Sequence, residues 1–121
     1  MTVRNRTDAE AFTTLDGSTI RVLLDARAGG AFKQSLAEAT LAPGQTTRRH
    51  YHGVTEEIYV ILDGDGEMEV DGERASVRPG DAILIPPRAW HQIQAGTGGE
   101  LRFLCCCAPS YRDEDTFFEE G

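Results

Sequence analysis

Long apolar runs are missing from this chain. No stretch approaches the roughly 18 consecutive apolar residues that cross a bilayer as a helix, so no transmembrane span is expected. The first residues, Met1-Thr2-Val3-Arg4-Asn5-Arg6-Thr7, lack the apolar stretch of a secretory signal. Cysteine is scarce, and its three copies, Cys105, Cys106 and Cys107, are consecutive. An odd, contiguous set is a poor disulfide framework, and neighbours on a strand point to opposite faces. A reducing compartment follows, with the cytoplasm as the expected location. Positive charge is also in short supply. Lys and Arg number 12 against 20 Asp and Glu, for a formal charge of −8. Such a surface repels nucleic acid and anionic membrane, so neither is expected as a partner. There is no long amphipathic helix and no tandem repeat, which leaves strands as the building material.

Strand and turn signals fill the chain. Ser18–Leu24, Ser35–Leu41, Arg48–His52, Glu57–Leu62, Glu67–Val70, Arg74–Val77, Ala82–Ile85, His91–Gln94 and Leu101–Cys105 each read as a short strand. Ser35–Leu41 is helix-compatible by propensity, but Pro43-Gly44 closes it early and its surroundings are strand-rich. Asp71-Gly72 between two such runs marks a tight hairpin, because both turn positions need positive φ. Pro79-Gly80 stands in the order a type II turn prefers. Short, regularly spaced strands with Gly and Pro turns predict an all-β sandwich or small barrel. A length of 121 residues suits one domain over residues 1–121. Its core is expected over about 16–108, followed by an acidic tail over about 109–121. That tail reads as a solvated extension, with Phe117 and Phe118 able to dock on the barrel or on a second subunit.

The three histidines of the chain fall into one pattern. His50 and His52 stand two apart, so on a strand both imidazoles share a face and can grip one ion. His91 follows Trp90 further on, and Glu56 and Glu57 lie just past the pair. Three imidazoles and a carboxylate make a nitrogen and oxygen donor set suited to a first-row transition metal. Unbroken strand parity from His52 would select Glu56, but Gly53-Val54-Thr55 interrupts the strand and resets it. Inward-facing Glu57 would bring Tyr59 and Ile61 with it and put Ile58, Val60 and Leu62 on the other face.

The spacing resembles that of cupins. Gly44, five residues, His50, one, His52, four, Glu57, six, Gly64 matches the first cupin motif, and Gly80, five residues, Pro86, then His91 matches most of the second. The six-residue interval to Gly64 favours Glu57 over Glu56. Two positions depart from the pattern: Arg88 stands where a Gly is expected, and Ala95 where an Asn is usual. The resemblance implies a cupin-type jelly-roll β-barrel with one divalent metal ion (Fe, Mn, Ni or Zn) held inside by His50, His52, Glu57 and His91. It also implies a homodimer. Arg49 and Tyr51 would then face outward. Tyr59, on the inferred face of Glu57, is the candidate catalytic residue, with a hydroxyl placed to orient a ligand or donate to substrate.

Cupin activities include dioxygenases, decarboxylases, isomerases, lyases and cyclases, as well as binders without turnover. The leading expectation is a metal-dependent oxidoreductase of dioxygenase type acting on a small organic molecule, because no extra acid–base pair accompanies the ligand set. The alternatives are a non-redox isomerase, cyclase or lyase, drawing a general acid or base from Tyr59, Glu38 or a pocket cysteine, and a binding module without turnover. Phosphorylated substrates are disfavoured, since no basic cluster is evident. Arg21, Gln34 and Arg49 are possible pocket groups. Trp90 is read as packing near the barrel mouth, and Cys105 and Cys107 as small buried hydrophobes beside Leu101 and Phe103. Replacing both His50 and His52 with Ala is expected to abolish metal retention, measured by elemental analysis of untagged protein; full retention would refute the assignment.

Overall fold

The computed structural model describes residues 1–119; Glu120 and Gly121, the end of the acidic tail, lie outside the described residues. Eleven strands run in chain order: β1 (Phe12–Thr13), β2 (Thr19–Leu24), β3 (Ser35–Leu41), β4 (His50–His52), β5 (Glu56–Asp63), β6 (Gly66–Val70), β7 (Glu73–Val77), β8 (Ala82–Ile85), β9 (His91–Ala95), β10 (Leu101–Ala108) and β11 (Thr116–Phe118). They form a six-stranded sheet, β1-β2-β3-β10-β5-β8, and a five-stranded sheet, β11-β4-β9-β6-β7. All pairings between named strands are antiparallel. The two sheets face each other as the jelly-roll barrel expected of the sequence. Ser35–Leu41 is a strand along its whole length.

Alternation decides what is inside. Along β5, Glu57, Tyr59 and Ile61 are buried while Glu56, Ile58 and Leu62 are exposed. Leu101, Phe103 and Cys107 of β10 lie inward beside them. The core between the sheets is filled by Leu41, Ile61, Met68, Ile85, Ile93 and Phe103. Residues of one parity thus pack the barrel, and the opposite parity faces out.

Turns set the register. Asp71 and Gly72 both have positive φ, 48° and 85°, so the hairpin closes on a Val70–Glu73 pair. Gly64 ends β5 at φ 82°, and a Cβ there would stand 2.2 Å from the carbonyl oxygen of Glu100, so only glycine fits. Arg88 also has positive φ, 68°, and its N–H donates to the carbonyl of His52 at 2.7 Å. A glycine would hold this left-handed turn without the Cβ penalty, which explains why its replacement by Arg88 is a departure.

Both ends of the described chain pack on the barrel, the tail by the docking that Phe117 and Phe118 allowed. The stretch before Asp16 supplies β1, paired to β2. The tail is not a solvated extension: Thr116, Phe117 and Phe118 pair with His52, Tyr51 and His50 across β4. Arg48 lies over the Phe118 ring at 3.9 Å, and Tyr51 stacks on Phe117 with ring centroids 5.1 Å apart. Trp90 packs edge-on to Tyr51 at 4.7 Å.

Glu38 faces away from the barrel interior. It is buried under a forked ion pair with Arg6, at 2.8 Å, and a contact from Arg102 at 3.4 Å. Arg6 holds the Glu38 carboxyl below the usual carboxylate range against the opposing effect of burial, with help from Arg102.

The exposed Arg88 side chain makes no hydrogen bond among the described residues, so Arg88→Gly is expected to stabilise the fold by about 1 kcal/mol through backbone relief. Thermal unfolding checks this, and a lower Tm would contradict it. Glu38→Gln is expected to destabilise by about 1–3 kcal/mol at neutral pH. A carboxyl whose folded pKa is depressed contributes stability above its unfolded pKa, about 4.3, and loses it as pH falls through the folded value. The gap between wild type and variant should therefore close in acid, as read by denaturant unfolding at neutral and acid pH.

Candidate metal centre

The register brings the histidines together. His50 of β4 sits directly opposite His91 of β9, and His52 lies two residues along on the same face. All three are buried, and one potential ligand atom from each falls within 4.8 Å of the others. The turn at residues 53–55 then carries the chain into the opposite sheet, where Glu57 opens onto the same space. Glu57 is 4% exposed, whereas Glu56 faces solvent. Glu57 Oε1 lies 3.2 Å from His52 Nε2 and 3.5 Å from His91 Nε2.

Hydrogen bonds assign the tautomers. Nδ1 of His50 is 2.7 Å from the carbonyl of Arg48, and Nδ1 of His91 is 3.0 Å from the carbonyl of Ala89. A carbonyl only accepts, so both Nδ1 atoms carry the proton and leave Nε2 bare. Thr116 donates its hydroxyl to the carbonyl of Arg112 at 3.0 Å. Its oxygen is then free to accept from His52 Nδ1 at 3.2 Å. Cys107, directly opposite Glu57 across β10, donates its thiol to Glu57 Oε2 at 3.2 Å. The other carboxylate oxygen, Oε1, is left facing the imidazoles. Both Glu57 Oε1 and His91 Nε2 are buried, and neither has a hydrogen-bond partner among the described residues. Each such atom costs about 1–3 kcal/mol when nothing satisfies it.

The electrostatics are those of a site built around positive charge. Burial first, and the neighbouring His91 second, push His50 down to about 4. For His52 burial acts downward, but the nearby Glu57 carboxylate, with Asp115, raises it overall. Glu57 stays well below the usual carboxylate range: burial opposes this, and His52 and His91 outweigh burial. Without another cation, Glu57 favours the protonated form of His52. A divalent ion would replace that proton and satisfy the orphaned donors at once. The residues therefore fit a transition metal, with nitrogen and oxygen donors and partners behind them that fix orientation.

Beside the cluster lies a cavity with about 90 Å³ of space open to water, well above the ~10–15 Å³ that one water needs. Phe12, Ile20, Val22, Ala37, Ala39 and Phe103 give it apolar walls. Tyr59 also faces it, with its ring 6.1 Å from that of His91. Burial, and then Glu57, raise the Tyr59 phenol well above its ordinary value, so it is a neutral donor and not a base. Cys105 and Cys107 line the same space, and burial pushes both thiols up, so neither is a ready thiolate.

Several candidate pocket groups lie elsewhere. Glu38 is engaged outside the barrel, as above. Arg21 donates to the carbonyl of Ala9, Gln34 is exposed, and Arg49 grips Glu69 at 2.7 Å and also pairs with Glu119. None of the four lines the cavity. Conversely, the tail contributes in a way the local pattern did not indicate. Asp115 binds the N–H groups of Val54 and Thr55 at 3.1 Å and 3.2 Å, fixing the turn between His52 and Glu57. Thr116 backs His52, and Phe118 packs 5.5 Å from the His50 ring. An acidic stretch holding two Phe residues was the sole signal in the sequence.

With this geometry in view, the family is clear. The Cupin domain model matches residues 37–107, and the chain belongs to the cupin family. An uncharacterized protein of Methanocaldococcus jannaschii is 46% identical over 105 residues, covering 87% of this chain and 84% of that one. The solved structure of the polyketide cyclase RemF from Streptomyces resistomycificus is 28% identical with a TM-score of 0.78, covering 95% of this chain and 89% of the other. Gentisate 1,2 dioxygenase 1 of Aquipseudomonas alcaligenes is 35% identical over 51 residues, which span 42% of this chain and 15% of that enzyme. No helix among the described residues is long and apolar enough to cross a membrane.

If the cluster holds a divalent ion, Thr116→Val is expected to weaken Zn(II) binding about 10–100-fold by freeing His52 to turn. Competition against a fluorescent chelator measures this, and unchanged affinity would contradict the role given to Thr116.

Proposed function

We propose that this cupin is a metal-dependent enzyme acting on a small organic molecule, with dioxygenase-type oxidation as the best-supported reaction. His50, His52, His91 and Glu57 hold the ion. The carrying observation is that three buried imidazoles offer ligand atoms within 4.8 Å of one another, with Glu57 Oε1 3.2 Å and 3.5 Å from His52 and His91, beside a largely apolar cavity. When bound, a divalent transition metal supplies Lewis acidity and, if it is iron, redox chemistry with dioxygen. The protein's own part is to bind, orient and keep dry. The carbonyls of Arg48 and Ala89 hold two imidazoles in one tautomer, and Cys107 fixes the Glu57 carboxylate. Tyr59 offers a neutral hydroxyl to substrate, and the walls shed bulk water.

A polyketide-cyclase-like reaction without redox change is the second reading. It is favoured by the similarity to RemF over nearly the whole chain and needs Tyr59 as a proton donor rather than dioxygen. Oxygen consumption by Fe(II)-loaded protein, screened with diketones, enols and catechols, separates the two. Uptake above the metal-free control is expected. Uptake that never exceeds that control, with substrate conversion by Zn(II)-loaded protein, would overturn the dioxygenase reading for the cyclase one.

A further inference from the structure

The cavity beside the candidate metal centre is one-sided in charge. Asp16, Asp25 and Glu57 line it, and no Lys or Arg does. The nearby arginines are occupied elsewhere. Arg48 lies over Phe118 and donates to the carbonyl of Leu15, Arg49 pairs with Glu69 and Glu119, Arg6 and Arg102 pair with Glu38, and Arg21 donates to backbone carbonyls. Asp16 and Asp25 are not ion-paired among the described residues. Asp16 Oδ1 accepts from the N–H and hydroxyl of Ser18 at 2.9 Å and 2.6 Å. Asp25 Oδ1 accepts from the N–H groups of Arg27 and Ala28 at 2.9 Å and 2.7 Å. Each carboxylate is thereby anchored by one oxygen in a turn and makes no ion pair with a Lys or Arg among the described residues. The rest of the lining offers hydroxyls, such as Thr14, Ser18, Tyr59 and Tyr111, and apolar surface.

We infer that the pocket selects its substrate by charge. It takes a molecule that presents oxygens to the metal at one end and carries an uncharged or cationic, largely apolar body. It rejects molecules with a second anionic group, such as a carboxylate or a phosphate, away from the metal. The inference rests on the metal reading above, because the ion is then the one positive locus in the cavity. An anionic group placed anywhere else meets Asp16, Asp25, an apolar wall or a neutral hydroxyl, and finds no cationic side chain to offset its charge. Apolar walls raise the effect of each charge by lowering the local dielectric. The selection therefore belongs to the chain's own residues, whatever reaction the metal supports.

Three catechols that differ in a remote substituent test this directly: 4-methylcatechol, 4-(2-aminoethyl)catechol and 3,4-dihydroxybenzoate. Binding is measured by calorimetry on protein shown to carry one equivalent of Zn(II). The carboxylate is expected to bind at least about tenfold more weakly than the methyl compound, and the amine at least as tightly as it. Replacing both acids, Asp16→Asn with Asp25→Asn, keeps an Oδ1 acceptor for each turn and should narrow the gap between carboxylate and amine several-fold. Equal or tighter binding of the carboxylate by wild-type protein would overturn charge selection and leave the metal reading standing. Failure of all three catechols to bind the Zn(II)-loaded protein would overturn the inference together with the small-molecule reading on which it rests. Protein that takes up no Zn(II) would remove the metal reading itself.

Discussion

Three imidazoles can share one small buried space only if their protons point elsewhere. In this barrel the carbonyls of Arg48 and Ala89 and the hydroxyl of Thr116 take those protons, so the bare nitrogens face one another and Glu57. Lone pairs and a carboxylate gathered in this way repel, and burial removes the water that would otherwise soften the repulsion. A divalent cation, which we propose for this site, would resolve the conflict. Much of the surrounding architecture serves that requirement: the His50–His91 register pair, the turn that brings Glu57 across from the other sheet, and the thiol of Cys107 behind the carboxylate.

The C-terminal segment is the second support of this arrangement. Asp115 ties down the turn between His52 and Glu57, while Thr116 and Phe118 back the two histidines of β4. Outside the barrel the same segment stacks Phe117 on Tyr51. Asp115 is held below the usual range even though burial opposes it, because the Val54 and Thr55 amides favour the carboxylate form. The strand is thus bound on both faces, by polar contacts at the site and aromatic contacts outside it. A segment of this acidity is held in the fold by particular partners and not by its overall composition.

Much of the fold was legible because it rests on local patterns. Alternation along Glu57–Leu62 assigned the inward face, Asp71-Gly72 marked its hairpin, and the break at Gly53-Val54-Thr55 explained why Glu57 and not Glu56 is turned inward. The pairing of His50 and His52 could be read from strand spacing, and His91 joined them through the resemblance to the cupin motifs. The role of the tail could not, since the Thr116–His52 contact joins residues 64 apart and leaves no local periodicity. Glu38, Arg21 and Arg49 were possible pocket groups that lie outside the cavity, and Arg49 faces outward as its place between the two histidines implied. Their strand parity is outward, and long charged side chains settle on partners that only the assembled barrel supplies. Cys107 was read as a small hydrophobe, and its burial agrees. Its contact with Glu57 depends on the pairing of β10 with β5, which the sequence does not display.

One divalent ion held by three imidazole nitrogens and one carboxylate oxygen is the arrangement we propose for His50, His52, His91 and Glu57. X-ray absorption at the zinc edge, on untagged protein carrying one equivalent of Zn(II), reads that coordination directly. The account predicts a first shell of three nitrogens and at least one oxygen at about 2.0–2.2 Å, with the outer-shell scattering of three histidine rings. A shell of oxygens alone, without imidazole scattering, would contradict it.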